Sequence, residues 1–274
     1  MATQTYSGIS SEQKVFYERA LMKRLVPNLV YTKYGQRRSA PKNEGDTVNF
    51  RRFNALEAAT TALTEGVTPS GSDLSVTALT ATVKQYGDFV EISDKLDMVG
   101  IDPVLSESAG VLGEQAALTI DTVVRDEVTS GTSVLYAGGK ANRDALTAAD
   151  VVTSADIRKA VRMLKRNNAK PMDGGFYIGI IHPDVAYDMM SDSMWQDISK
   201  YSGGTQIMKG EIGKIHGVRF IESTNNKQVE NTGKVTVHLS MIIGQVAYGV
   251  VDVAGKSKPE MIVKAAGSSG TADP

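Results

Sequence analysis

Leu74-Ser75-Val76-Thr77-Ala78-Leu79-Thr80-Ala81-Thr82-Val83 sets apolar against polar side chains in a two-residue rhythm, which runs on to Phe89-Val90-Glu91-Ile92. That period belongs to a β-strand with one covered face. Upstream, Thr47-Val48-Asn49-Phe50-Arg51-Arg52-Phe53 reads as a second strand. Between them, residues 54–73 are rich in Ala, Thr, Gly and Ser, carry Pro69 and show little periodicity. Together the three segments predict a long two-stranded hairpin with an extended, weakly structured tip. An isolated two-stranded ribbon is marginal in water, and structureless loops of this length are uncommon in compact domains. An arm with so few apolar anchors is expected to pack on something else. The other reading is an ordinary sheet with a surface loop.

On the N-terminal side, Ser10 with Gln13 makes a capping-box pattern that opens an amphipathic helix over 12–25. Val26-Pro27 ends it, and an irregular basic stretch follows through Arg37-Arg38 and Pro41-Lys42. On the C-terminal side, Asp102-Pro103 is a helix start, with Asp as N-cap and Pro in the first turn. Leu105, Ala109, Leu112, Ala116, Ile120 and Val123 then recur at spacings of four and three, which predicts an apolar stripe inward. The stop is Ser130-Gly131. Such a helix would run roughly 40 Å, a spine for the chain.

Tyr136 to Val152 reads as a polar connector. Thr153-Ser154-Ala155-Asp156 opens a helix with Ile157, Val161 and Leu164 inward. Phe176 to Ile181 is a buried-type strand, and His182-Pro183-Asp184 leads into a helix through Tyr187. Further strands are expected at Val218–Glu222, Val235–Ile243, Ala247–Val251 and Met261–Lys264, so the chain after residue 150 predicts a compact lobe of interleaved helices and strands.

The 274 residues are 41% hydrophobic and 22% charged, which excludes wholesale disorder. A formal charge of −1 argues against a polycation that coats nucleic acid. That total hides a segregation. Residues 1–52 hold ten basic groups against four acidic, 53–130 hold three against thirteen, and 131–274 hold seventeen against fourteen. Such blocks differ by chance, or they meet within a chain or between copies, where charge complementarity sets register and partner choice. The absence of Cys removes disulfides and thiolate chemistry and fits a reducing compartment. No stretch reaches the roughly 18 apolar residues of a membrane helix, and the polar N-terminus lacks a signal-peptide core.

Catalytic chemistry is hard to find. The three His residues, His182, His216 and His238, form no His-x-x-x-His pair, and each reads as a cap of a strand or turn rather than a metal ligand. His182 with Asp184 lacks an accompanying nucleophile motif. Gly255-Lys256-Ser257 has Val250 where a phosphate loop needs Gly, and Gly210-Glu211-Ile212-Gly213 lacks the third glycine of a dinucleotide site. Trp195 and Met189-Met190 read as packing. The basic face Arg158, Lys159, Arg162, Lys165 and Arg166 reads as a solvated surface or as a contact to phosphates or an acidic partner; sparse aromatics argue against base stacking. No catalytic, cofactor-binding or metal residue is therefore assigned.

In its longer blocks the sequence resembles the major capsid proteins of tailed bacteriophages, and is most similar to the branch typified by the podovirus N-four. The resemblance is carried by Leu25-Val26-Pro27-Asn28-Leu29-Val30-Tyr31, Val48 to Phe53, Leu63-Thr64-Glu65-Gly66-Val67-Thr68-Pro69 and Gln85-Tyr86-Gly87-Asp88-Phe89-Val90-Glu91. It continues through Leu112-Gly113-Glu114-Gln115-Ala116-Ala117, Ala155 to Val161, Ile181-His182-Pro183-Asp184 and Gly210 to Ile215. These blocks follow one another along nearly the whole chain. The resemblance implies an α+β chain with the Hong Kong 97-type capsid fold. In that fold an N-terminal arm would span 1–40 and an extended-loop hairpin 41–92. A peripheral domain would span 93–149, with its spine helix at 102–130, and an axial domain 150–255, with a return and tail over 256–274.

The function implied is self-assembly into hexamers and pentamers of an icosahedral head around double-stranded DNA, with no enzymatic role. The implied partners are further copies of the chain, a separate scaffolding protein, a portal at one vertex, a decoration protein, and DNA contacted non-specifically. No membrane is implied. The location would be the virion, with the host cytoplasm during assembly. Arg37, Arg38, Arg51, Arg52, Glu57, Glu65, Asp73, Asp88 and Glu91 are the expected contacts between subunits. Lys14, Arg19, Lys23, Arg24, Arg158, Arg162, Lys165 and Arg166 are the expected scaffold- or DNA-facing residues. Some relatives cross-link through a hairpin Lys, but no Lys or Arg occurs from Phe53 to Val83, so stability is expected to be non-covalent. Few residues precede the arm, hence the separate scaffold, and the Gly267–Pro274 end stops where relatives tend to continue. A bacterial nanocompartment shell of the same fold, loading enzymes instead of DNA, is the alternative. A soluble α/β enzyme or binding protein is a distant one.

Overall fold

The computed structural model describes residues 29–40, 45–93, 104–172, 174–192, 213–253 and 262. The helix expected over 12–25, the Asp102-Pro103 start, Trp195, the Gly210-Glu211-Ile212 and Gly255-Lys256-Ser257 runs and nearly all of the strand at 261–264 lie outside them. In chain order the strands and α-helices are β1 (Gln36–Ala40), β2 (Thr47–Phe53), β3 (Val76–Thr82), α1 (Val104–Val128), α2 (Ser154–Arg166), β4 (Tyr177–Ile181), α3 (Pro183–Ser191), β5 (Lys214–Ile215), β6 (Val218–Glu222), β7 (Gln228–Glu230), β8 (Thr236–His238), β9 (Met241–Ile243) and β10 (Gly249–Val253). Two compact units divide the chain.

The larger unit gathers the described residues within 1–36, 87–248 and 260–274. Its centre is β4, in a four-stranded sheet of order β5-β6-β4-β9, parallel to β6 and antiparallel to β9. Every residue of β4 is buried, as its continuous apolar run Tyr177-Ile178-Gly179-Ile180-Ile181 requires. The two-residue period of the strand divides these side chains between two cores. Tyr177 and Ile181 join Ile157 and Val161 of α2 and Val185, Ala186 and Met189 of α3. Ile178 and Ile180 join Tyr31, Met241 and Ile243, with Val124 and Val128 of α1 against them. Each such side chain contributes roughly 1.5–3 kcal/mol through burial. Gly179 is required by packing, because a Cβ there would lie 2.7 Å from the Phe220 ring.

α2 begins as its sequence predicts: Thr153 and Asp156 close a reciprocal capping box. β8 and β9 correct the single strand expected over 235–243. The chain breaks at Leu239-Ser240, because β8 pairs with β7 in a separate ribbon while β9 pairs with β4.

α1 confirms a long helix of 25 residues, about 37 Å, but its buried face is turned from the expected stripe. Ala109, Gly113, Ala117 and Asp121 are buried, Leu112, Ala116 and Ile120 flank them, and Val123 is exposed. The reason is the buried Asp121 carboxylate. It accepts the N–H of Val30 at 3.0 Å and of Tyr31 at 2.7 Å, and Asn225 Nδ2 donates to it at 3.3 Å. A carboxylate so supplied with donors can leave water.

The smaller unit gathers the described residues within 37–86 and 249–259. β2 and β3 form an antiparallel ribbon from Thr47↔Thr82 to Phe53↔Val76. β3 is shorter than expected, and 83–93 is not strand. The ladder stops because β2 begins at Thr47, and only Asp46 O remains to accept the Val83 N–H before Gly45 turns away at φ +92°. β1 corrects the expected irregular basic stretch: residues 36–40 pair with β10.

Candidate assembly surfaces

The ribbon's register sorts its side chains. Asn49, Arg51 and Phe53 share a face with Val76, Ala78 and Thr80, while Val48, Phe50 and Arg52 share the other with Thr77, Leu79 and Ala81. The apolar phase changes at Ala78-Leu79, so both faces carry apolar groups. Phe50 is covered within the unit, lying against the backbone of Gly249, where a Cβ would stand 2.5 Å from the ring. Phe53 and Leu79 stay about two-thirds exposed, at 65% and 64%.

Beyond the ladder, Asn54 closes the base of the tip. Its N–H donates to Ser75 O at 3.0 Å, its amide donates to Ser75 Oγ at 3.0 Å, and Thr77 Oγ1 donates to Asn54 Oδ1 at 3.2 Å. From there to Leu74 the chain is irregular and exposed, including Leu56, Leu63, Val67 and Leu74. Among the described residues nothing covers these apolar side chains, an exposure that marks an interaction surface.

Glu57, Glu65 and Asp73 stand exposed on this tip, and Arg51 and Arg52 are exposed on opposite faces of β2. Arg37 and Arg38 are exposed on β1. Arg38 Nη1 donates to Asn49 O at 2.6 Å and its guanidinium lies 5.6 Å from the Phe50 ring centre. Arg38 and Arg51 line an open cleft of about 350 Å³ with Ser39, Gly45 and Thr47. In the larger unit Glu91 is exposed, whereas the Asp88 carboxylate is already engaged. Gln115 donates to it and so does the Phe89 N–H at 2.9 Å, and these bonds hold its pKa below the usual carboxylate value.

The outer face of α2 presents Arg158, Arg162, Lys165 and Arg166, all exposed, opposite buried Ile157 and Val161. Lys159 on the same face pairs with Asp156 at 2.9 Å. Lys14, Arg19, Lys23 and Arg24 lie outside the described residues. At the C-terminal end of α1, Arg125 Nη1 donates to Asn225 O at 3.0 Å and Oδ1 at 2.7 Å. Asp126 bridges Arg125 at 3.0 Å and Lys227 at 3.2 Å.

The histidines differ in part from their sequence reading. His182 caps α3, its Nδ1 accepting the Asp184 N–H at 3.2 Å. His216 sits in the β5–β6 turn and its Nε2 meets Ser154 Oγ at 2.7 Å. His238, on β8, does more than end a strand: its ring stacks on His182 with centroids 4.5 Å apart, and both face Asp184. This convergence has no sequence spacing to announce it, since it joins a strand end to a ribbon far along the chain. Among the described residues no helix is long and apolar enough to cross a membrane.

Comparison with known proteins bears on this arrangement directly. The family model described as phage capsid protein matches residues 75–272. No curated protein matches the chain. Among solved structures the chain is similar to the capsid of Ralstonia phage GP4, with a TM-score of 0.61 at 15% identity over 80% of this chain and 73% of that one. It is similar to the capsid of cyanophage P-SCSP1u, with 0.61 at 17% identity over 82% and 75%. It is also similar to the head structure of Helicobacter pylori bacteriophage KHP40, with 0.53 at 18% over 68% and 55%. At these identities the likeness is one of fold.

Proposed function

This chain belongs to the phage capsid protein family, has the Hong Kong 97-type fold and is a major capsid protein that forms the phage head, and from that premise we propose how its surfaces are used. Shell formation implies self-association, and the place of the mature protein is the virion. In our reading the units of assembly are hexamers and pentamers, the ribbon and its tip lie over a neighbouring copy, and the lobe after residue 150 gathers around the capsomer axis. The peripheral region is 93–149, the axial region 150–255 and the return 256–274. The role is structural rather than catalytic. A scaffolding protein, a portal, a decoration protein and packaged DNA complete the partners, and assembly takes place in the host cytoplasm.

The observation that carries this reading is the exposed apolar series on the ribbon and tip, Phe53, Leu56, Leu63, Val67, Leu74 and Leu79. A second copy covering it would form a heterologous contact that closes into a ring. The nanocompartment alternative is not favoured by the family match. Electron microscopy of the full chain expressed with its scaffolding protein tests the proposal. Uniform closed shells are expected; a small soluble oligomer under all conditions would defeat it.

A further inference from the structure

We propose that His182, Asp184 and His238 bind a divalent transition cation of the zinc, cobalt or nickel class, tying β8 to the first turn of α3. One donor atom from each residue lies within 4.8 Å of the others. His182 Nδ1 stands 3.0 Å from Asp184 Oδ2, and His238 Nε2 stands 3.5 Å from the same oxygen. Metal bonds of about 2.0–2.2 Å in a tetrahedron place donors roughly 3.3–3.5 Å apart, so two edges of the site are near their final length. Two imidazoles and one carboxylate are a donor set suited to borderline cations, with the exposed side of Asp184 open to water.

His182 Nδ1 carries one lone pair, which as N-cap accepts the Asp184 N–H. A cation on Nδ1 takes that lone pair, so binding gives up this cap bond and draws Asp184 Oδ2, 3.0 Å away, onto the ion. The Gln228 amide nitrogen stands 3.3 Å from His182 Nε2. With the amide turned over, so that Oε1 takes that place, Gln228 would accept the Nε2–H and leave Nδ1 for the ion, the outer contact that orients a metal-binding His. Gln228 and His238 are cross-strand partners in the β7–β8 ribbon, so one ribbon supplies both a ligand and its support. Among the described residues His238 Nδ1 is buried without a hydrogen-bond partner, and Nε2 is the nitrogen that faces the carboxylate.

Two further terms oppose binding. The positive end of α3 disfavours a cation, which Asp184 and Asp188, both close enough to act on His238, offset. The rings stack at 28°, so one imidazole must turn to bring its lone pair onto the ion.

The test is titration of Co²⁺ and Zn²⁺ into chelator-stripped, untagged full-length protein, read by calorimetry and by the visible absorption of Co²⁺. With only three His and no Cys in the chain, background sites are few. One ion per chain is expected, with affinity at least tenfold above that of His182→Asn or His238→Gln. Asn at 182 keeps an N-cap acceptor, so α3 should persist, and circular dichroism checks it. Equal Co²⁺ binding by wild type and the double variant would overturn the proposal. So would binding that survives in the double variant and is lost in His216→Asn.

Discussion

The Asp121 carboxylate in the middle of the spine helix accepts the backbone N–H of Tyr31 at 2.7 Å, across a separation of ninety positions. The same group takes the Val30 N–H and the Asn225 amide, so one side chain fixes the chain entering the fold and a loop leaving the sheet. Tyr31 is wholly buried at this point, and Tyr248 donates its hydroxyl proton to Tyr31 O. Burial, with the Asp121 charge second, pushes the Tyr31 phenol up to about 12. Asp121→Asn keeps one carbonyl oxygen for the two backbone N–H groups but sets an NH2 against the Asn225 amide donor and should cost about 1–3 kcal/mol, with Asp121→Ala, which removes every acceptor, at least as damaging. Denaturant unfolding of unassembled protein should show the loss, together with faster hydrogen exchange at Val30 and Tyr31. Unchanged exchange there would mean that the clasp does not hold this segment.

Gly249 and Phe50 make a second tight pairing. A Cβ at 249 would meet the ring at 2.5 Å, backbone against a semi-buried aromatic. Gly249→Ala should destabilise β10 and the ribbon by about 1–3 kcal/mol through overpacking. Phe50→Leu frees space and should recover part of that loss, so the double-mutant cycle is non-additive. Strict additivity would show that the ring moves aside at no cost.

The parts of the fold legible in sequence are those whose signals are local. The Thr153/Asp156 capping box, the apolar run of β4 and the length of α1 each depend on neighbours in the chain. β1 was hidden because its partner β10 lies at the far end of the chain, and residues 235–243 read as one strand because each half answers to a different sheet. Asp121 escaped because burial of a carboxylate depends on donors from Tyr31 and Asn225 that no spacing on α1 reveals. His238 escaped for the same reason, its relation to His182 being tertiary. The charged residues of the tip and of α2 were legible as surface, since an amphipathic helix and a periodless tip leave charge nowhere else to go. What a neighbouring copy would place against each charge has no pattern within one chain.

His216 gives the larger unit an acid sensitivity. Burial, then the Arg158 charge, lowers its pKa below 6.5. The neutral ring is therefore the form the fold prefers. The stability it contributes is complete above about pH 6.5 and is lost as pH falls from there through the folded value. His216 and Gly217 both have positive φ, at 49° and 82°, a turn that Asn accommodates. His216→Asn should keep the turn, give up the Ser154 contact, and flatten the dependence of the unfolding midpoint between pH 6.5 and 5. A variant as pH-dependent as wild type would place the titration elsewhere.

Removing residues 56–72 should separate folding from assembly. The Asn54–Ser75 bonds already hold the ends of the tip together, so the β2–β3 register survives the deletion. What is lost is exposed surface, including Leu56, Leu63 and Val67. Sizing and microscopy should find a soluble subunit or capsomer with wild-type stability and no closed shells. Normal shells would remove the tip from any bracing role.

The segregation of charge leads to a salt test of how copies meet. The exposed acids of the tip, Glu57, Glu65 and Asp73, and the exposed bases of α2, Arg158, Arg162, Lys165 and Arg166, belong to blocks of opposite sign. If they pair across subunits, the interaction is solvent-accessible and screened, with the Debye length falling from about 10 Å at 0.1 M to 3 Å at 1 M. Each exposed pair is worth no more than about 1 kcal/mol, but a shell repeats the contact at every subunit, so yield responds to small terms. Shell yield should therefore fall as salt rises, although apolar burial strengthens under the same conditions when the salt is a kosmotrope. Reversing the tip charges with Glu57→Lys, Glu65→Lys and Asp73→Lys should abolish closure at low salt. Adding Arg158→Glu and Arg162→Glu to the same chain should restore it in part. Light scattering of assembly reactions reads both effects, and yields that are flat across salt and indifferent to the charge swap would assign closure to the apolar surface alone.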